Sequence, residues 1–205
     1  MNEAHQMCGS DEWRQAMREV ILPWALGDTD LGDDVLEVGP GYGACTDVLS
    51  VAVPKLTSVE IDPELAAMLR ERFADVPSVE IVNADATTLA YPDGSFTGAA
   101  CFTMLHHVPT DELQDRLFGE IARVLRPGAA LVASDSLGSD ELATHHADDT
   151  YNPLDPDSLP DRLATAGFSG IDVRTNPYGW AVIALRGSGH QPATGERPPA
   201  DEDEP

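Results

Sequence analysis

Short apolar, β-rich runs alternate along this chain with stretches whose apolar residues recur at helical spacing, and no other property restricts the fold as strongly. Residues 33–38 read as a buried strand that runs straight into Gly39-Pro40-Gly41-Tyr42-Gly43. Behind that turn Cys45, Val48, Leu49 and Ala52 share one helical face. Residues 56–61 repeat the strand, Asp62 and Pro63 start a second helix, and Leu65, Met68, Leu69 and Phe73 give it an apolar stripe. Strands follow at 79–82, 96–103 and 129–134. Between the last two lies a helix over 111–125, with Leu113, Leu117, Ile121, Val124 and Leu125 inward and Pro127-Gly128 halting it. Strands separated by helices are joined by parallel crossovers, so the sheet is mostly parallel.

The two ends depart from this pattern. At the start, Ser10 is an N-cap for a helix carrying Trp13, Met17, Val20, Ile21 and Trp24, which Pro23 kinks or ends; residues 1–32 form a helical brace or lid. Near the finish, a short helix over 159–166 is closed by Gly167. Strands at 170–175 and 180–186 are then linked by Asn176-Pro177-Tyr178-Gly179, too short for a helical crossover, so the last strand runs antiparallel to its neighbour. Residues 187–205, rich in Gly, Pro and acids, form a disordered acidic tail after a main domain over 33–186.

Charge narrows the partners. The 205 residues hold 36 Asp and Glu against 12 Lys and Arg, a net charge of −24, and the scattered bases form no patch. Binding to a phosphate backbone comes mainly from clustered cations that release counterions, so a nucleic-acid partner is not expected, and neither is an anionic membrane surface. The three cysteines, Cys8, Cys45 and Cys101, lack the spacing of a disulfide framework or a structural zinc site. No basic-then-apolar leader and no bilayer-length apolar run is present, and a cytoplasmic location is expected.

The glycine turn is the first place where chemistry concentrates. Glycines at a strand-to-helix turn let a ligand approach the backbone, and the helix beyond offers unpaired N–H groups. Gly39, Gly41 and Ala44 satisfy a dinucleotide-type pattern, and Glu60 ends the second strand as a nicotinamide site also requires. Glu37, two residues before the first glycine, points elsewhere: a carboxylate there opposes a pyrophosphate and suits an ammonium or sulfonium group. The third strand leads into Asn83-Ala84-Asp85-Ala86, whose acid can accept from an adenine amino group.

Together these segments resemble the class I S-adenosylmethionine-dependent methyltransferase family over about residues 33–186. Val-Leu-Glu-Val-Gly-Pro-Gly-Tyr-Gly matches its glycine motif and Val59-Glu60-Ile61-Asp62 its second-strand acidic motif. Asn83-Ala84-Asp85-Ala86 matches its adenine-side motif, and Leu125-Arg126-Pro127-Gly128 the turn before its fifth strand. Phe102 to Val108 looks like its fourth-strand segment. The resemblance implies an α/β fold: a doubly wound, mostly parallel, seven-stranded Rossmann-like sheet with an antiparallel terminal strand inserted beside the fifth. It also implies S-adenosylmethionine as cofactor. Gly39, Gly41 and Gly43 would pass under the methionine portion, with Glu37 near its ammonium. Glu60 would take both ribose hydroxyls, Ile61 would pack on the adenine, and Asp85 with the Ala86 backbone would read its edge. Phe102 and Thr103 would line the sulfonium side. Tyr42 stands where the family more often has a small residue or Pro, and would narrow the pocket or reach toward the methyl group.

Methyl transfer from an activated sulfonium is an in-line displacement that gains most from positioning, and a base is needed only where the acceptor must lose a proton. His106, His107 and Asp135 are the candidate catalytic residues. Their alternatives are structural: one histidine packs while the other faces solvent, and Asp135 caps the turn after the fifth strand. His145, His146, Asp148 and Asp149 read as a solvated loop, so no metal site is expected. Trp13 and Trp24 read as brace core, Cys101 as a buried strand residue, and Cys8 as an exposed thiol. Residues 135–156 and the N-terminal helix would frame a small-molecule methyl acceptor. The competing functions are a nicotinamide-dependent oxidoreductase, which lacks a lysine relay because Lys55 is the sole lysine, and a non-catalytic cofactor-binding regulatory protein.

Overall fold

The computed structural model describes residues 7–147 and 149–188. Residues 1–6 of the brace, Asp148 and the acidic tail from residue 189 lie outside the described residues. Seven strands form one sheet: β1 (Asp34–Val38), β2 (Lys55–Glu60), β3 (Val79–Asn83), β4 (Phe96–Phe102), β5 (Leu125–Ser136), β6 (Phe168–Thr175) and β7 (Gly179–Arg186). Their order is β3-β2-β1-β4-β5-β7-β6. The first five pair in parallel, and β7 lies antiparallel between β5 and β6. The doubly wound sheet with an antiparallel strand beside the fifth is therefore the fold of this chain.

Helices cover both faces: α1 (Asp11–Ala16), α2 (Leu22–Leu26), α3 (Ala44–Ala52), α4 (Pro63–Arg72), α5 (Asp111–Val124), α6 (Asp140–His145) and α7 (Leu159–Ala166). Strands covered on both faces are apolar throughout. In β1, Leu36 and Val38 join the core beneath α5 and α7, while Val35 joins the core beneath α2 and α3. Among the described residues no helix is long and apolar enough to cross a membrane.

Several expected boundaries move for identifiable reasons. Ser10 caps α1 as read, its hydroxyl accepting from Trp13 N at 3.1 Å. Pro23 does not end the helix. The turn before it, Met17–Ile21, widens to π geometry and Leu22 N donates to Met17 O, which makes room for a ring that would clash in a regular α-turn. The widening rotates the stripe, so Met17 is buried while Val20 is 63% exposed. In α3 the inward residues include Thr46, and Ala52 is exposed. In α5 Gln114 is fully buried beside Leu117 and Ile121. The helix stops at Val124, before Pro127, because Leu125 already pairs with Phe96 across a bulge in β4–β5. Helix α6, inside the expected acceptor loop, was not foreseen.

Arg123 at the end of α5 braces the loop that leads from β3 to β4. Its guanidinium donates to Leu89 O (2.9 Å), Tyr91 O (2.7 Å), Asp93 (2.9 Å) and Glu120 (2.9 Å). A flat five-donor fork is needed to meet these acceptors together. Arg123→Ala is expected to lower unfolding stability by about 1–3 kcal/mol, and Arg123→Lys to recover less than half of that loss. Chemical denaturation of the three proteins checks this, and full recovery by lysine would contradict the fork argument.

Candidate functional site

One cavity of about 430 Å³ opens at the carboxyl ends of β1, β2, β3 and β4, within the size range of small-molecule sites. Glu37, Gly39, Gly41, Glu60, Ile61, Asp85, Ala86, Phe102 and Thr103, all singled out in the sequence, line it together with His107. Gly43 sits just behind, as the left-handed residue that starts α3. Asp135 and His106 are not on the wall.

Glu37 is buried at the glycine end. Its Oε2 accepts from Thr46 Oγ1 at 2.8 Å and Ser58 Oγ at 2.6 Å, while Oε1 is buried and receives no N–H or O–H donor, the weak Cys45 thiol being the remaining donor to the carboxylate. The Cys45 thiol adjoins the carboxylate. Burial raises the Glu37 carboxyl, and the hydrogen bonds from Ser58, Thr46 and the Cys45 thiol only partly offset that. A buried carboxylate oxygen with no N–H or O–H donor on the wall of a cavity is a place for a cationic group, because desolvation without compensation is costly.

Glu60 is already engaged by the backbone. Oε2 accepts from Gly41 N at 3.0 Å and Oε1 from Asp62 N at 2.9 Å, and burial raises this carboxyl also. Each oxygen keeps a lone pair for a diol. The Gly41 backbone, at φ +55°, brings its N–H to Glu60, and a Cβ there would stand in open cavity space; no side chain is present to block a ligand. Asp85 Oδ1 accepts from Thr87 N and Thr87 Oγ1, both at 2.8 Å, and so holds the 3₁₀ turn of Ala86 in place. Ile61 is 68% exposed at the cavity rim, an apolar surface placed for a flat ring.

Thr103 departs from ordinary backbone geometry. It has φ +52°, a left-handed conformation rare for a β-branched residue, and its N–H donates to Ser134 O at 2.8 Å. Such strain costs on the order of 1–3 kcal/mol and concentrates at functional sites.

The roof comes from Cys8, Trp13 and Met17, with Tyr42 beneath them. Gly9 lies against the Tyr42 ring, so Tyr42 holds the N-terminal turn over the cavity. Cys8 is half-buried on the wall, contrary to the exposed thiol expected, and burial raises its thiol. Cys45 and Cys101 are buried, with burial raising both thiols.

His106 is buried behind the wall and bound to Asp135. Its Nδ1 lies 2.8 Å from Asp135 Oδ1, and its backbone N donates to Asp135 Oδ2 at 3.1 Å. Asp135 also accepts from Ser136 N at 2.8 Å, so its carboxylate serves the histidine and the turn and does not face the cavity. Neither histidine is left to solvent: the half-buried ring of His107 stands 4.1 Å from that of His106, and His107 lines the cavity with Val108, Pro109, Asp149 and Thr150. His146, expected in a solvated loop, is buried against both. The sequence did not single out the clamps of this segment. Gln114 Nε2 donates to Leu105 O at 3.0 Å and Asn152 O at 2.9 Å, and Asn152 N donates to His106 O at 2.7 Å. A glutamine on an otherwise apolar helix stripe was the available signal.

Burial of Glu37 has a pH signature. Its native carboxyl is held above the ordinary value of 4.5, so the folded protein keeps a proton that the unfolded chain releases, and this residue's contribution to stability falls as pH rises from 4.5 through the raised value. Glu37→Gln removes that fall. The variant is expected to gain on wild type across this window and to hold a constant advantage above it; a pH-independent difference in unfolding free energy would contradict the assignment.

Residues 36–133 match the family model described as "Methyltransferase domain". A ribosomal RNA small subunit methyltransferase A of Synechococcus sp. (strain WH7803) is 36% identical over 114 residues, covering 53% of this chain and 40% of the relative. A ribosomal protein L11 methyltransferase of Deinococcus radiodurans is 33% identical over 172 residues, covering 79% of this chain and 56% of the relative. The chain thus spans about half or less of the length of these curated relatives. A solved SAM-dependent methyltransferase of Methanosarcina mazei superposes with TM-score 0.64 at 18% identity, over 82% of this chain and 97% of that one, a likeness of fold. Residues 36–133 are thus a methyltransferase domain by their family match, and the strand order β3-β2-β1-β4-β5-β7-β6 is that of the Rossmann-like methyltransferase fold.

Proposed function

We propose that the protein transfers a methyl group from S-adenosylmethionine to a small neutral or cationic acceptor. The observation that carries this reading is the buried Oε1 of Glu37, a carboxylate oxygen that no N–H or O–H donor reaches, on the wall of a cavity that also holds Glu60 and Asp85. Such an oxygen fits an α-ammonium group and repels a pyrophosphate, which sets the nicotinamide alternative aside. Bound there, S-adenosylmethionine supplies a methyl group on an already activated leaving sulfide.

The roles of the chain's own residues follow their places on the wall. Glu37 receives the ammonium and Gly41 keeps the floor clear. Glu60 accepts from the ribose hydroxyls with the lone pairs that Gly41 N and Asp62 N leave, Ile61 packs on the adenine, and Asp85 with the Ala86 backbone reads its edge. Phe102 and the strained Thr103 border the reacting end. Tyr42, Trp13 and Met17 close over it as a lid and exclude water.

The acceptor side is the wall formed by His107, Val108, Pro109, Asp149 and Thr150. Where the acceptor must lose a proton, His107 is the imidazole placed to take it, and His106 and Asp135 position it from behind. A net charge of −24 opposes a polyanionic acceptor, so this chain's acceptor differs in charge from the RNA named for the Synechococcus relative.

Calorimetric titration with S-adenosylmethionine and S-adenosylhomocysteine, with NADH as the control, tests the cofactor reading. Glu60→Ala and Asp85→Ala are each expected to weaken binding of the sulfur nucleotides by about 1–3 kcal/mol. Unchanged affinity in both variants, or tighter binding of NADH, would sink it. Transfer of a labelled methyl group to ribosomal RNA in preference to small amines and hydroxyl compounds would overturn the acceptor class.

A further inference from the structure

Three imidazoles converge behind the acceptor wall from segments far apart in sequence. His106 and His107 occupy the 3₁₀ turn after β4, and His146 caps the C-terminus of α6. Their ring centroids are 4.1 Å (His106–His107), 4.9 Å (His106–His146) and 5.2 Å (His107–His146) apart. One ring nitrogen of each lies within 4.8 Å of the other two. Imidazole nitrogens sharing one tetrahedral ion stand roughly 3.3 Å apart, given metal–nitrogen bonds of about 2.0–2.1 Å.

The tautomers of two rings are settled by their partners. Nδ1 of His146 lies 2.7 Å from the Leu142 carbonyl oxygen, which can only accept, so that nitrogen carries a proton and, in the neutral ring, Nε2 is the ligand nitrogen. Nδ1 of His106 stands in the same relation to the Asp135 carboxylate at 2.8 Å. An acceptor oxygen on Nδ1 that turns Nε2 into the basic nitrogen is the outer support that metal-binding histidines use. The surroundings are stiff: Gln114 and Asn152 clamp the turn, and Tyr151 stacks on His146 with centroids 4.6 Å apart at 29°. His107, with Asp149 and Thr150, places the edge of the cluster on the cavity wall.

We propose that His106, His107 and His146 bind one divalent transition-metal ion of the zinc type, with Asp135 supporting His106 and the fourth coordination position facing the cavity. Three neutral imidazoles suit zinc, cobalt or nickel and not magnesium or calcium, which prefer oxygen. A ligand oxygen or nitrogen of the acceptor can complete the coordination sphere there. The proposal is independent of the cofactor reading, and with an ion bound His107 is a ligand, so the ion and not the free imidazole activates the acceptor atom.

The full chain, free of any polyhistidine tag and stripped with chelator, is titrated with zinc(II) by calorimetry and with cobalt(II) by visible absorption. One equivalent is expected to bind, with the intense absorption of four-coordinate cobalt and no competition from magnesium(II). Asp135→Asn is expected to lower the affinity about 10–100-fold, and His146→Ala and His107→Ala by at least about 10-fold each. The half-buried His107 keeps the test independent of folding. Absence of stoichiometric binding, a weak six-coordinate cobalt spectrum, or zinc affinity unchanged by His107→Ala would each overturn the proposal, the last by placing the ion elsewhere on an acidic surface.

Discussion

Between β1 and β4 the chain reverses the direction in which it lays down strands, building β2 and β3 on one side and β4, β5 and β7 on the other. The crossovers leave these two neighbouring strands in opposite directions, so nothing fills the space above their carboxyl ends. Glu37 stands near the end of β1 and Phe102 at the end of β4, and Thr103 begins the loop beyond it. Glu60 and Asn83 end β2 and β3 in register, which carries the acidic wall outward from the switch point. Placing functional groups at strand ends makes the sheet a rigid ruler: the Glu37 and Glu60 carboxylates are spaced by interstrand hydrogen bonding, and Asp85 follows two residues after β3.

That arrangement stores unfavourable energy at the site. Glu37 is desolvated with one oxygen that no N–H or O–H donor reaches, Glu60 is raised by burial although two backbone N–H groups reach it, and Thr103 is held at φ +52°. Each would be removed by selection for stability alone. The surrounding sheet over-determines them, since the Thr103 N–H is tied to Ser134 O and the Glu37 carboxylate is trapped by Thr46 and Ser58 from two different elements. A ligand with a cationic group and hydroxyls relieves the electrostatic part, so the site is matched to a specific charge pattern.

What the sequence made legible follows from the range over which each signal acts. Strand and helix alternation, the Ser10 and Asp62 caps and the Gly167 stop are local patterns, and all reappear in the structure. The carboxylates at strand ends were readable because a strand end is itself a local position. Phase was lost where one residue changed the helix period: the π turn ahead of Pro23 exposed Val20. The histidine cluster was illegible for a different reason. His146 lies about forty positions from His106, and only the packing of α6 and the Asn152 loop brings them together. Adjacent histidines were expected to diverge, as in a strand; the 3₁₀ turn over Leu105–His107 removes that alternation and lets both rings gather.

The two halves of the cavity differ in chemistry, and the difference limits what can react there. The glycine half is acidic, with Glu37, Glu60 and Asp85 on its wall, and it attracts cations and hydrogen-bond donors. The other half is bounded by apolar Val108, Pro109 and Leu113 with His107, Asp149 and Thr150 among them. A phosphodiester chain entering that half meets the negative field of the first across a few ångströms of low-dielectric protein, where repulsion is weakly screened. A neutral or cationic acceptor meets no such barrier, and its nucleophilic atom is drawn toward the imidazole side, where a lone pair or a coordinated ion can hold it while the acidic side holds the donor. Under the proposed reading, separating the charge of the donor from the nucleophile of the acceptor across one cleft leaves little for the chain to supply beyond alignment and the exclusion of water, and Tyr42, Trp13 and Met17 line the cavity where both would be needed.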